Sequence, residues 1–236
     1  MKRHQRTIAC LNLSFLLAVL SACTPANRTP EQSIRPGVNS EYKTTPIEKW
    51  VERFESESRE IFKERDRILR AADIRSGMAV ADIGAGSGFF TEMFARQVAP
   101  KGRVYAVDIT PGFIERIDAR AKELDLSNIT GIVCSDKDAM LPHGSVDVAF
   151  VCDTYHHFEF PAQTLASIHR ALKPGGMLVV VDFDRAPGKT RQWVLDHVRA
   201  GKEEVRGEIA ANGFKLLDEP PTPFLTENYM LRFRKK

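Results

Sequence analysis

Between Ala79 and Phe183 the chain alternates short β-rich runs with amphipathic helical stretches, and this beat restricts its possible folds more than any other feature. The runs are Ala79–Ile83, Arg103–Val107, Ile129–Val133, Val146–Cys152 and Met177–Phe183. Helical patterns cover about Phe89 to Val98, Pro111 to Leu124 and Pro161 to Leu172. Strands separated by helices pair in parallel through right-handed crossovers, so the expectation is an α/β protein with a doubly wound sheet and helices on both faces. The C-terminal third changes rhythm. A helical stretch from about Lys189 to Asn212, with a break at Gly201, ends in Asn212-Gly213, a pair suited to a left-handed cap. Phe214–Leu217 and Tyr229–Phe233 follow, separated by the Pro-rich 220–223, so the last two strands pair with no helix between them. Ahead of the first strand, Ile47, Trp50, Val51, Phe54, Ile61, Phe62, Ile68, Leu69 and Ala72 recur at helical spacing and mark one amphipathic helix or two.

The N-terminus reads as an address. Lys2, Arg3 and Arg6 precede an apolar stretch from Ile8 to Ala22, the plan of a secretory signal peptide over residues 1–22. The stretch is shorter than the roughly 20 apolar residues needed to cross a bilayer. Leu20-Ser21-Ala22-Cys23 resembles the bacterial lipobox. That resemblance implies a lipid on Cys23, which would anchor the protein in the bacterial cell envelope facing the periplasm, and Thr24 in place of Asp favours the outer membrane. Residues 23–45 then read as the lipidated Cys and a flexible tether, since Pro25, Pro30, Pro36 and Gly37 lie among small polar residues without an apolar period. Residues 46–236 remain as one domain. Of 34 lysines and arginines, three fall in the signal, which has no acid, so the rest carries 31 basic against 31 acidic side chains. A neutral domain lacks the basic excess of a nucleic-acid binder, so no nucleic-acid partner is expected.

The most informative residues are Asp82-Ile83-Gly84-Ala85-Gly86-Ser87-Gly88-Phe89, where the first strand meets its helix. A chain that turns tightly there and lets a ligand approach needs glycine. The dinucleotide fingerprint requires Gly or Ala where Phe89 stands, and no Gly-Lys-Ser/Thr follows for a P-loop. Asp108 closes the second strand 20 residues after Gly88, where a carboxylate can accept from both hydroxyls of a ribose.

At this point the chain resembles the class I S-adenosylmethionine-dependent methyltransferases. Asp82 to Gly88 is similar to their first motif and Ala106-Val107-Asp108 to the acidic end of their second strand. Ser135-Asp136-Lys137-Asp138 resembles the adenine-side loop, Val146–Phe150 the fourth strand, and Leu172-Lys173-Pro174-Gly175-Gly176 the turn into the fifth. The resemblance covers about residues 46–236. It implies a Rossmann-like, seven-stranded, mostly parallel sheet in the order 3-2-1-4-5-7-6 with the last strand antiparallel, and S-adenosylmethionine as cofactor. Carried over by position, Gly84, Ala85, Gly86 and Gly88 would pass the methionine end, with Asp82 near its ammonium. Asp108 and the adjoining Ile109 would meet the ribose, and Ser135, Asp136 or Asp138 the adenine. The same sheet order puts Cys134 and Cys152 three strand spacings apart, about 14 Å, beyond the about 7 Å that a disulfide tolerates, so both should be free thiols.

Methyl transfer is an in-line displacement, in which an enzyme positions donor and acceptor and, for hydroxyl or thiol acceptors, removes a proton. A small-molecule acceptor is expected beyond the fourth strand, at Asp153-Thr154-Tyr155-His156-His157. His156 or His157 would serve as base and Tyr155 would shape the pocket, while Asp153 would orient a histidine or contact the cofactor. Both histidines are also suited to capping the turn and packing against the next helix. Adjacent histidines rarely face one centre and no Cys or His spacing resembles a zinc site, so no metal is expected. Asp182, Asp184 and His197 should lie on the same rim of the sheet. The helix with Trp50 and Phe54 would cover the cofactor as a lid or pack on the sheet edge. A cytoplasmic cofactor sits awkwardly with an envelope address, which leaves three accounts: the cofactor reaches the envelope, an inefficient signal leaves a working cytoplasmic pool, or the chain is a lipid-anchored nucleoside-binding module of the same fold without turnover.

Overall fold

The computed structural model describes residues 32–188 and 190–236. The signal peptide over 1–22 and lipidation at Cys23 lie outside the described residues. Among the described residues seven strands are present: β1 (Ala79–Ile83), β2 (Arg103–Asp108), β3 (Ile129–Val133), β4 (Val146–Cys152), β5 (Leu172–Phe183), β6 (Phe214–Asp218) and β7 (Asn228–Lys235). They form one sheet in the order β3-β2-β1-β4-β5-β7-β6. All neighbours pair in parallel except β7, which runs antiparallel to both β5 and β6. This is the doubly wound order that the family resemblance implies, and every β-rich run falls on a strand.

Eight α-helices accompany the sheet among the described residues: α1 (Ile47–Phe54), α2 (Glu60–Lys63), α3 (Arg65–Ala71), α4 (Phe89–Val98), α5 (Pro111–Glu123), α6 (Pro161–Ala171), α7 (Gln192–His197) and α8 (Lys202–Ala211). Proline opens α5 and α6, where its fixed φ suits the first turn and its missing N–H leaves nothing unpaired. Strand periodicity assigns the two faces. Val80, Val148 and Phe150 pack against Phe90 and Phe94 of α4 and Ile68 of α3. Ala81, Ile83, Ala149 and Val151 on the other face join Leu165 and Ile168 of α6 and Val205 and Ile209 of α8. Parallel strands covered twice must be apolar on both sides, which is why β1 and β4 read as continuous hydrophobic runs.

Two stretches differ from the sequence reading. The apolar period over 46–72 resolves into three short helices, because the polar turn at Glu55–Ser58 interrupts it. The tether over 23–45 is corrected in its described part. Residues 32–45 lie on the fold: the Ile34 N–H donates to the Glu159 carbonyl at 2.9 Å, Asn39 Nδ2 donates to the His157 carbonyl at 3.2 Å, and Ser40–Lys43 form a 3-10 turn. Its sparse apolar residues gave no period, yet Tyr42 is one of its anchors, with its ring centroid 4.5 Å from that of Trp50. Cys134 and Cys152 are free thiols, as their strands require.

Candidate active site

The strand order reverses between β1 and β4, and a doubly wound sheet opens a crevice above the carboxyl ends of its strands at such a point. A cavity of about 1000 Å³ lies there, lined by the glycine loop, the ends of β2 and β4, and the segment before β1.

Its floor is the β1–α4 turn. Gly84, Gly86 and Gly88 have φ of 72°, 52° and 86°, the left-handed region that side chains avoid. A Cβ on Gly84 would lie 2.3 Å from Cγ2 of Thr154, so this turn also admits the β4 loop at backbone distance. Asp108 holds the turn in shape: Oδ2 accepts the Gly86 N–H at 2.9 Å and Oδ1 the Thr110 N–H at 2.8 Å. Each oxygen keeps a second lone pair. Asp82 accepts the Thr91 hydroxyl at 2.6 Å, and burial pushes its carboxyl up to about 7. Burial likewise raises Asp108 against the hydrogen bonds that favour its ionised form.

The roof comes from the N-terminal segment. Trp50 and Phe54 stack with Tyr42 and Phe113, and the Phe54 ring reaches within 3.2 Å of where a Gly86 Cβ would stand. Arg59 ties this roof to the β4 loop, with Nη2 2.5 Å from Asp153 Oδ2, while Asn228 Nδ2 donates to Oδ1 at 2.6 Å. Glu60 accepts the backbone N–H groups of Glu227 and Asn228 at 3.0 Å each. Burial pushes Asp153 up to about 6, with Arg59 opposing.

The remaining wall is made of histidines. A 3-10 turn at Tyr155–His157 places His156 in the interior, 4% exposed, with Nδ1 2.7 Å from Asp182 Oδ1 and its backbone N–H on Asp182 Oδ2 at 3.1 Å. A carboxylate oxygen accepts, so His156 Nδ1 is the donor of this pair. His157 Nε2 lies 3.4 Å from both the Tyr42 hydroxyl and His197 Nε2. Burial, with His156, His197 and Arg35 nearby, holds His157 down to about 2, so it stays neutral.

The residues singled out from sequence divide accordingly. Asp82, Gly84, Ala85, Gly86, Asp108, Ile109, Ser135, Asp136, Asp153, His156 and His157 line the cavity. Three do not. Gly88 caps α4 and packs on Ile117, where a Cβ would meet a side-chain carbon at 2.6 Å. Asp138 turns away to pair with Arg170 at 2.7 Å. Tyr155 is fully buried and its hydroxyl donates to Glu208 at 2.8 Å, beside a bidentate Arg199–Glu208 pair, so it shapes the core rather than the cavity. Sequence reasoning missed Tyr42, Arg59 and Asn228. Only the aromatic and arginine content near residue 50 hinted at a roof.

A methyltransferase domain family model matches residues 74–228. The chain belongs to the methyltransferase domain family. Among relatives of this methyltransferase domain, a ubiquinone/menaquinone biosynthesis C-methyltransferase UbiE of Burkholderia vietnamiensis is 31% identical over 118 residues, 50% of this chain and 48% of the relative. An uncharacterized 37.1 kDa protein in transposon TN4556 of Streptomyces fradiae is 32% identical over 151 residues, 62% of this chain and 42% of the relative. The chain thus spans about half the length of the curated relatives it matches. A SAM-dependent methyltransferase from Aquifex aeolicus has the same fold, with a TM-score of 0.70 at 21% identity over 82% of this chain and 100% of that one. The cofactor implied by the motifs fits the floor of this methyltransferase domain: a cradle that side chains would fill, beside a buried carboxylate with lone pairs to spare.

Proposed function

We propose that this domain transfers a methyl group from S-adenosylmethionine to a small-molecule acceptor. The observation that carries the reading is the pairing of Asp108 with the Gly86 N–H, which sets an acidic strand end and a side-chain-free turn against one cavity. The backbone of Gly84–Ser87 would hold the methionine end, Asp82 the ammonium, Asp108 and Ile109 the ribose, and Ser135 or Asp136 the adenine. S-adenosylmethionine supplies an electrophilic methyl carbon on a sulfonium. The chain's own work is positional: the floor fixes the donor, the histidine wall bounds the acceptor, and Tyr42, Trp50 and Phe54 exclude water. A cavity of about 1000 Å³ leaves room for an acceptor beside the cofactor. A relative named for C-methylation in quinone biosynthesis supports an organic acceptor of modest size.

We place the protein in the bacterial envelope, anchored by a lipid on Cys23. The support is the signal-like sequence and lipobox alone. Incorporation of labelled palmitate that Cys23→Ser abolishes is the check on this.

Calorimetric titration of S-adenosylmethionine into the full-length protein tests the cofactor. Saturable binding is expected, weakened about tenfold to a hundredfold by Asp108→Ala, the loss of a charge-assisted contact of about 1.5–3 kcal/mol. No binding at millimolar cofactor overturns the reading. Binding without demethylated cofactor appearing in the presence of a cell extract favours the anchored binding module.

A further inference from the structure

Three histidines meet at the wall of the cavity although 40 residues separate His197 from His157. His156 and His157 come from the turn after β4 and His197 from the last turn of α7, yet one ring nitrogen from each lies within 4.8 Å of the other two. The adjacent pair avoids pointing apart because the 3-10 turn tilts the two rings by 44°, and each ring contacts His197 edge-on.

Hydrogen bonding accounts poorly for this meeting. His157 Nε2 and His197 Nε2 are 3.4 Å apart, and the Tyr42 hydroxyl is 3.4 Å from the same His157 nitrogen, both at the outer limit for a hydrogen bond. His157 Nδ1 is buried with no partner among the described residues. Two imidazole nitrogens bound at about 2.0–2.1 Å to one tetrahedral ion stand about 3.4 Å apart, which is the spacing found between His157 and His197.

The supporting shell agrees. His156 gives its Nδ1–H to Asp182, which fixes the ring and leaves Nε2 as a ligand, the arrangement that carboxylates impose on metal-bound histidines. Asp182 is itself held, also accepting the N–H groups of His156 and Phe183.

We propose that His156, His157 and His197 form a site for one divalent first-row transition metal, with Asp182 as the residue that positions His156. Three neutral nitrogens and no thiolate suit zinc and its neighbours rather than magnesium or calcium. Three protein ligands leave one position open, the plan of a reactive rather than a purely structural centre, and here that position adjoins the cavity. If the methyl-transfer reading holds, the open position is where an acceptor oxygen, nitrogen or sulfur would bind. Metal binding itself does not depend on that reading.

The test uses full-length protein in detergent, stripped with a chelator. Zinc chloride is titrated by calorimetry, and cobalt(II) by the visible absorption that four-coordinate cobalt shows. One equivalent should bind saturably at micromolar zinc or below. Asp182→Asn should weaken it by about tenfold to a hundredfold, and His197→Gln and His157→Gln by more. His197 is partly exposed on a short helix, so its variant keeps the test clear of folding failure should substitutions at the buried His156 not fold. The proposal is overturned by the absence of single-site binding, or by binding that both glutamine variants leave unchanged. Titrating S-adenosylmethionine into the same sample separates the two hypotheses: cofactor binding without zinc binding defeats only the metal site, and zinc binding without cofactor binding defeats only the methyltransferase reading.

Discussion

The glycine floor and the histidine wall face one cavity, but they are assembled differently. The floor closes locally: Gly86 and Asp108, joined by a hydrogen bond, are 22 residues apart in one β-α-β unit. The wall and roof close over long range, with Arg35 donating to the His197 carbonyl across 162 residues and Arg59 reaching Asp153 across 94. A locally built floor takes its geometry from backbone conformation, so it depends on glycines and on one carboxylate. A wall gathered from distant segments takes its geometry from side-chain contacts, each of which can be removed singly.

Gly84→Ala strikes the floor hardest. The residue sits at φ 72°, and its Cβ would fall 2.3 Å from Thr154 Cγ2. Strain of about 1–2 kcal/mol from the left-handed backbone, with the clash added, should lower unfolding stability by about 2 kcal/mol or more in denaturant titrations. Adding Thr154→Ala should recover only part of the steric share, since the Cβ of residue 154 would still lie 2.9 Å away. A neutral Gly84→Ala would mean that the floor is looser than its dihedral angles state.

Asp82 offers a second probe of the floor, through pH. Burial raises its carboxyl from 3.8 to about 7, so across that window the folded state holds a proton that the unfolded chain has released. Its contribution to stability is therefore full below about pH 4 and is lost as pH rises towards about 7, with a slope of up to about 1.4 kcal/mol per pH unit. Asp82→Asn should remove that slope from unfolding curves recorded across the window. An unchanged slope would show that the buried carboxyl is not the group responsible.

The same contrast explains what the sequence made legible. The strands and the floor are readable because β-rich runs, glycines and strand-end acids are contiguous patterns, whereas the strand order follows only from the family resemblance. Gly88 was misplaced because the motif does not distinguish a ligand-facing glycine from one that caps α4 beneath Ile117. Tyr155 was misplaced because a 3-10 turn sends successive side chains in different directions: it turns Tyr155 into the core towards Glu208 and His156 towards Asp182. The roof over 32–45 was read as tether because its anchors are single residues, Asn39 and Tyr42, whose partners appear more than a hundred positions later. Adjacent histidines argue against a metal centre, and no spacing in the sequence announces that α7 brings the ring of His197 beside them.

Arg59→Ala makes the smallest change and tests the roof alone. The Arg59 side chain is 25% exposed, so solvent screens its pairing with Asp153, and about 1 kcal/mol is a fair measure of its loss. It also lies 5.2 Å from the Phe54 ring centroid, and both contacts hold the roof down on the glycine loop. Thermal stability should therefore move little, while S-adenosylmethionine affinity falls by a factor of about five, as 1 kcal/mol dictates. Arg59→Lys should restore part of the affinity through charge without the guanidinium's planar contact. If Arg59→Ala lowers stability as much as Gly84→Ala does, the roof is part of the folding core, and the division between a local floor and a separable roof fails.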